Sequence, residues 1–587
     1  MIKPTRLFDY IDKQVREFPQ DKAISHKKNG KWIHYSSSDF QKNVNEYSLA
    51  LLAHGVKKDD KIAIISGNRP EWNFCDNGIL QIGAVNVPIY PTSSVNDFEF
   101  ILNNAGVKYL FISDESIFEK ASKANVPSLQ GIYSFDEVSG CKNVTEFLAK
   151  ADRARMSEVD EIKNTITSQD LATIIYTSGT TGNPKGVMLS HRNIIFNVEE
   201  VSPHLPVQKH HKVLSFLPLC HIFERVVTYF YFFKGVEVYY AESIDTLKEN
   251  IAEVKPHFMT CVPRLMEKIY DGILAKGKDL KGISKLLFNW GISLAHKENA
   301  SSNLFYGFLN KVIYSKFREA LGGNIVGIVT GAAALQARIG LFFNNVGILV
   351  REGYGMTETA PVISFNRFGP KENKPGSVGV ILDNVTIKLE HREGMQDGEG
   401  EILVQGENVM MGYYNNPEAT SATIKDGWLY TGDVGRFDDE NFLHITDRVK
   451  ELFKTSGGKY VAPQFLENTL KESKYIEQIM VIGNNRKFVS ALIYPSITNL
   501  KSWAEFKGYS IDFSHPNWTK STEIIDKIKR VIDRYNIQFN QVEQIKKFTL
   551  VNAEWTIDGG ELTPTLKLKR KILEEKNSEL IESMYKD

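Results

Sequence analysis

Apolar runs of five to seven residues recur along the first three-quarters of the chain, each bounded by Gly, Pro, Asn or Asp. Lys61–Ser66, Ala84–Tyr90, Tyr109–Ser113, Leu171–Tyr176, Val213–Leu217, Phe258–Val262 and Ile325–Thr330 all have the length and boundaries of strands. The segments between them can hold helices, so the pattern predicts a layered α/β fold with substantial parallel pairing. From about residue 376 the texture changes to shorter strands and turns, as in Gly400–Gln405 and the Asp438–Asn441 turn. That stretch reads as a β-rich subdomain closing a large N-terminal domain, 1–446. A charged run at 447–450 marks the boundary with a small C-terminal α+β domain, 447–587. Gln478–Ile482 and Val489–Tyr494 read as its strands. Ile524, Ile525, Ile528, Val531, Ile532 and Tyr535 share one face of a core-packed helix. Residues 265–320 read as mainly helical, with Ile283, Leu286, Leu287, Trp290 and Leu294 forming an apolar stripe. Core packing is the first expectation for that stripe, a membrane-surface face the second.

A chain of 587 residues is too long for one core, which agrees with two or more domains. Lys plus Arg and Asp plus Glu both total 71, so no global field recruits nucleic acid or an anionic surface. Cys75, Cys141, Cys220 and Cys261 are scattered, which excludes a CxxC zinc site and argues for a reducing compartment. The first ten residues lack the apolar core of a signal peptide, and Val226–Phe233 is too short to span a bilayer. A cytoplasmic location is expected, with peripheral contact at an inner membrane surface as a secondary expectation.

The chemistry concentrates at Tyr176-Thr-Ser-Gly-Thr-Thr-Gly-Asn-Pro-Lys-Gly186. A buried strand empties into three glycines and four hydroxyl residues. Glycine lets backbone N–H groups face an anion without a Cβ in the way, and hydroxyls add donors. Lys185 supplies charge for a polyphosphate. Pro184 before that lysine and Gly186 after it exclude a Walker A loop, which needs Gly-Lys-Ser/Thr. Further along stand Gly331-Ala-Ala-Ala334 after a strand, Gly353-Tyr-Gly-Met-Thr-Glu358, Trp428-Leu-Tyr-Thr-Gly-Asp433, Asp447–Lys454 and Glu561–Arg570. Taken alone, Gly-Tyr-Gly and Thr-Gly-Asp read as turns, and 447–454 as an exposed charged linker.

Together and in this order, these motifs resemble those of the adenylate-forming enzymes, which include acyl-CoA synthetases, luciferases and the adenylation domains of peptide synthetases. The resemblance spans about residues 10–575. It implies that Thr177, Ser178, Gly179, Thr180, Thr181, Gly182 and Lys185 cradle ATP phosphates. Gly331 and Ala332 would wall the adenine, with Tyr354 stacked on it between Gly353 and Gly355, and Glu352 would join the nucleotide contacts. Thr357 would touch phosphate, and Glu358 and Thr177 would hold Mg²⁺. Asp433 would take the ribose hydroxyls, with Arg448 beside them, Lys450 as the interdomain pivot and Lys454 near the nucleotide. Gly457 and Gly458 would enter for a second half-reaction with CoA.

Aligning Thr-Pro-x-x-Lys puts the catalytic lysine at Lys567, with Lys569 as the competing assignment. The Thr-Leu before Lys567, where many relatives have Ser-Gly, leans toward the long-chain acyl-CoA synthetases. Leu217–Arg225 resembles the substrate-side motif, with His221 near the acyl carboxylate. Arg225 stands where some bacterial long-chain relatives carry a tunnel-gating Trp, so no aromatic gate carries over. The implied activity is a two-step ligation of a fatty acid to CoA through acyl-AMP, using Mg²⁺. The alternatives are a ligase that loads a carrier protein, a non-catalytic nucleotide-binding regulator, and a membrane-binding module built on 265–320.

Overall fold

The computed structural model describes residues 3–177, 183–393, 395–457, 459–556, 559–563 and 567–586. The chain forms two compact units, Met1–Thr386 with Val404–Leu429, and Ile387–Leu403 with Tyr430–Asp587.

The first unit carries two sheets. In one, the strands run in the order Gly412–Tyr413, Lys185–Ser190, Leu171–Thr177, Val85–Ile89, Lys61–Ile65, Val107–Ile112, Gly131–Ser134 and Lys142–Asn143. Its middle is parallel, Lys61–Ile65 lying between Val85–Ile89 and Val107–Ile112. Ala63, Ile65, Val87, Leu110 and Ile112 are all fully or almost fully buried, because helices cover a parallel sheet on its faces. The second sheet is centred on the parallel strands Lys212–Ser215, Phe258–Cys261, Gly327–Thr330 and Val350–Gly355. An N-terminal hairpin, Ile24–Lys28 with Lys31–Tyr35, extends it by pairing parallel with Glu237–Tyr240. That hairpin carries too short and polar an apolar pattern to stand out in sequence.

In the second unit, Ile476–Ile482, Val489–Pro495 and Ile545–Leu550 form a three-stranded sheet. The helix Thr522–Asn536 packs Ile524, Ile528, Val531 and Ile532 into the same core, with Tyr535 partly buried against it. Ile525 lies further out, at the edge of that face. The stretch after residue 376 is rich in short strands, among them Thr386–Glu390, Gly400–Gln405, Trp428–Phe437 and Leu443–Arg448.

Three local readings change. Gly353-Tyr354-Gly355 ends the strand Val350–Gly355 and pairs antiparallel with Val362–Phe365, so it is not a turn. Thr431-Gly432-Asp433 likewise lies within the strand Trp428–Phe437. Asp447 is not part of an exposed linker but is buried at the end of Leu443–Arg448. Its carboxylate accepts the N–H groups of Arg448 (2.6 Å) and Gln464 (3.1 Å). Burial outweighs those bonds and pushes its pKa up to about 7. A charged run in sequence cannot reveal a carboxylate folded under its own turn.

Candidate functional site

Ligands in open α/β sheets sit beyond the carboxyl ends of the strands, and here those ends carry the motifs. Thr177 closes Leu171–Thr177 and pairs with Lys185, the first residue of the returning strand. The loop residues Ser178, Gly179, Thr180, Thr181 and Gly182 fall outside the described residues, but this pairing fixes both ends of the loop.

Gly412–Tyr413 adds to the far side of that returning strand, with Tyr413 opposite Val187. Tyr413 joins two groups that sequence could not connect. Its hydroxyl donates to Glu358 Oε1 at 2.8 Å, and Lys185 Nζ lies 4.9 Å from its ring centroid. Glu358 itself is buried in the short helical turn Thr357–Thr359, and its carbonyl accepts Met410 N–H at 2.9 Å. One aromatic side chain therefore holds the lysine of the phosphate loop and the candidate metal carboxylate at its two ends. The only local signal for Tyr413 is a Gly-Tyr-Tyr run ahead of a polar turn.

Gly331 follows Gly327–Thr330, and a Cβ there would lie 3.4 Å from Gly353 O and 3.8 Å from the Phe223 ring. The three-alanine wall, the Gly353–Gly355 strand end and the helix after His221 thus meet. Ala332 adopts φ of 69°, an uncommon conformation for a side-chain-bearing residue. At Gly355 a Cβ would sit 1.9 Å from Pro361 O, so only glycine fits. Tyr354 is half-buried on the same strand, opposite Ser364. Glu352 is buried. Its two oxygens accept Leu335 N–H and Gly376 N–H, each at 3.1 Å, and burial raises its pKa to about 7. Its carboxylate ties two loops of the wall together.

His221 caps the helix Ile222–Lys234. Its Nδ1 accepts Phe223 N–H at 3.1 Å, and its ring lies 6.4 Å from that of Tyr90. Asn68 sets the approach to His221 by donating to Leu217 O (2.7 Å) and accepting Leu219 N–H (3.0 Å). Arg225, one turn beyond His221, points into the interior. It pairs with buried Asp76 at 2.5 Å over the face of Trp72, and Asp76 also takes the Tyr229 hydroxyl at 2.6 Å. Removing either charge would strand the other in a low-dielectric interior.

Glu224 beside it is fully buried and accepts the hydroxyls of Ser215 (2.5 Å) and Thr260 (2.6 Å). Burial nevertheless pushes its pKa up from 4.5 to about 7. A raised carboxyl pKa gives stability that is fully present below 4.5 and is lost as pH rises through about 7. Glu224→Gln imitates the protonated form. In thermal unfolding from pH 5 to pH 8, the variant should therefore gain on the wild type by about 2–3 kcal/mol. A gap that stays constant with pH would remove the titration from Glu224.

The remaining candidates stand in the second unit. Asp433 is buried and accepts Arg448 Nε at 3.2 Å across the antiparallel pair Asp433↔Arg448. Lys450 is exposed in the turn after Arg448, whose carbonyl accepts the N–H groups of Glu451 and Leu452. Lys454 is exposed, 3.4 Å from Glu393 and 4.9 Å from the Tyr460 ring centroid. Gly457 is exposed, and Gly458 is outside the described residues.

Lys567 is exposed in a small closed segment. Its N–H donates to Thr563 Oγ1 (3.0 Å), its carbonyl accepts Thr563 N–H (2.8 Å), and Leu568 bridges Leu562. Lys569 is half-buried at the start of the helix Arg570–Lys576. Arg570 anchors the segment through Glu451 (3.0 Å) and both oxygens of Glu467 (2.8 and 2.7 Å). This ion cluster, in which a single guanidinium joins the candidate lysine segment to the turn after Lys450, was not visible in sequence.

Residues 11–414 match the family described as AMP-binding enzyme, and 451–587 match the AMP-binding enzyme C-terminal domain. The chain is 32% identical to the long-chain-fatty-acid–CoA ligase FadD15 of Mycobacterium tuberculosis, across 95% of this chain and 93% of that protein. It is 31% identical to human long-chain-fatty-acid–CoA ligase 1, across 91% of this chain and 80% of that protein. Among solved structures, the anthranilate CoA ligase AuaEII in complex with anthranoyl-AMP shares the fold. The TM-score is 0.73, with 18% identity and 98% of each chain covered. A fatty acyl CoA synthetase of M. tuberculosis superposes with a TM-score of 0.66 and 19% identity, over 98% of this chain and 99% of that one. With matches along nearly its whole length, the chain belongs to the AMP-binding enzyme family.

Proposed function

We propose that this protein joins a long-chain fatty acid to CoA in two steps. The acid's carboxylate attacks the α-phosphate of ATP, giving acyl-AMP and pyrophosphate. The CoA thiol then attacks the acyl carbon, giving the thioester and AMP. The observation that carries the reading is the Lys185–Tyr413–Glu358 arrangement at the mouth of the phosphate loop, in a chain matched end to end by long-chain ligases. Attack of a carboxylate on a phosphate needs mainly positioning and charge neutralisation, and lysine, threonine and backbone N–H groups supply both. Lys185 would neutralise polyphosphate while the Tyr413 ring positions its ammonium. Gly331 and Gly353 allow close approach of the adenine, and Tyr354 would stack on it. Asn68 sets the segment that presents His221 to the carboxylate.

Mg²⁺ fits the donor set. The described residues hold no group of three or more His, Cys, Asp or Glu suited to a metal, while buried Glu358 offers one carboxylate and Thr177 a hydroxyl. Mg²⁺ binds in this way through one or two carboxylates plus substrate phosphates, and when bound it would neutralise charge on the polyphosphate.

Two measurements test the reading. kcat/KM for saturated acids from C4 to C20 should rise by orders of magnitude from octanoate to palmitate, since each enclosed CH₂ adds ~0.8 kcal/mol. AMP release should depend on CoA. A peak at C8 or below would sink the long-chain assignment, and CoA-independent AMP release would point to another acceptor.

Asp433 gives a third test. Bridging two ribose hydroxyls, it would contribute ~2–3 kcal/mol, as charged hydrogen bonds do. Asp433→Ala should raise KM for ATP and largely lose the wild-type preference for ATP over 2′-deoxy-ATP. An undiminished preference would move the ribose contact elsewhere.

A further inference from the structure

The helix Gly282–Ala295 is apolar on two faces, and only one is used internally. Phe288, Gly291, Leu294 and Ala295 are buried, and Phe288, Leu294 and Ala295 belong to the core beneath the second sheet. Ile283, Leu286 and Trp290, at helical spacing i, i+3, i+7, face outward, with Ile283 77% and Leu286 70% exposed. The expected core stripe is therefore split between core and surface.

The segment that returns past this helix adds Leu304, 90% exposed, with Phe305 and Phe308 each about half exposed. The Phe305 and Trp290 rings meet edge to face, 5.2 Å between centroids, so the two groups form one patch. Soluble chains rarely leave large apolar side chains contiguous and uncovered without a partner.

Charge identifies the partner. The whole chain is neutral, yet residues 276–316 hold seven lysines against Asp279 and Glu298 alone. Lys278, Lys281 and Lys285 stand exposed around the start of the helix, and Lys311 follows Phe308. Apolar and aromatic side chains fringed by lysine suit a surface that is apolar beneath and anionic at its rim. No helix among the described residues is long and apolar enough to cross a membrane, so the contact would lie in the interface plane.

We propose that the face made by Ile283, Leu286, Trp290, Leu304, Phe305 and Phe308 docks on an anionic lipid bilayer. The apolar groups seat at the boundary between headgroups and acyl chains, and the lysines lie on anionic headgroups. None of these residues is among those assigned to adenylation, so binding to lipid can be read without turnover.

The full chain is floated with vesicles of phosphatidylcholine alone or with 30% phosphatidylglycerol. Wild type should partition at least ~10-fold better onto the anionic vesicles, and Lys281→Glu/Lys285→Glu should lose that preference. Leu286→Asp/Phe305→Asp should fall at least ~10-fold on both, while ATP–pyrophosphate exchange without vesicles stays at the wild-type level. Should the aspartate pair fail to fold, quenching of tryptophan fluorescence by brominated acyl chains, expected in wild type and reduced in Trp290→Phe, reads the same seating of Trp290.

The proposal is overturned if wild type ignores anionic vesicles, or if the aspartate pair binds them as wild type does. It is equally overturned if wild type dimerises through this face, the aspartate pair is monomeric, and neither binds lipid, because the patch would then belong to a second copy of the chain.

Discussion

Replacing Lys567 with alanine is expected to slow adenylate formation by ~10²-fold or more, because a charge aligned with the developing negative charge on the α-phosphate is lost. Thioester formation from preformed acyl-AMP should survive much better, since the proposed role of the lysine is confined to the first step. The geometry of the segment makes the comparison with Lys569→Ala informative. Lys567 is exposed, and Thr563 ties both its N–H and its carbonyl, so its backbone is fixed. Lys569 is half-buried, and its N–H is spent on Glu561 O at 2.8 Å. Just beyond, Arg570 is clamped by Glu451 and Glu467, and the removal of one lysine ammonium leaves that clamp intact. The measurement is ATP–pyrophosphate exchange beside CoA-dependent turnover of synthetic acyl-AMP. Equal loss in both half-reactions from Lys567→Ala, or the larger exchange defect from Lys569→Ala, would reject Lys567 as the catalytic lysine.

The parallel strands were legible because strands buried on both faces write themselves as short unbroken apolar runs. Lys61–Ile65, Val85–Ile89, Phe258–Cys261 and Gly327–Thr330 fall within or almost within the segments chosen from sequence. One motif residue is legible for a different reason, since glycine at Gly355 answers a close backbone approach that a side chain would block. What stayed hidden is polar and distant in sequence. Tyr413 reaches Glu358 across 55 positions, and Arg225 reaches Asp76 across 149. No local pattern encodes which carboxylate a buried cation will meet. Asp447 misled for the same reason, because its burial depends on Gln464 folding back over it. The stripe on Gly282–Ala295 misled in the other direction. Periodicity reports that a face is apolar without reporting whether anything covers it.

Lys450→Pro should spare ATP–pyrophosphate exchange and reduce thioester formation by ~10²-fold or more, the scale that a small misplacement of reacting groups costs. The argument begins with the turn itself. It is closed by Val449 N–H on Gly432 O (2.8 Å) and by Glu451 and Leu452 N–H groups on Arg448 O (both 3.0 Å), so a residue without an N–H at 450 breaks none of these bonds. Lys450 lies at negative φ, the side of the map that proline requires. Proline there fixes φ at about −65° and should forbid the large dihedral change of a pivot. The ion cluster that joins Glu451, Glu467 and Arg570 carries the Lys567 segment with whatever follows residue 450. A locked turn would therefore also restrict the movement of that segment. Lys450→Ala measures the share owed to the side chain, and the pivot's share is the difference between proline and alanine. If the proline variant lost exchange as fully as CoA ligation, or if alanine matched it in the second step, Lys450 would not be the pivot.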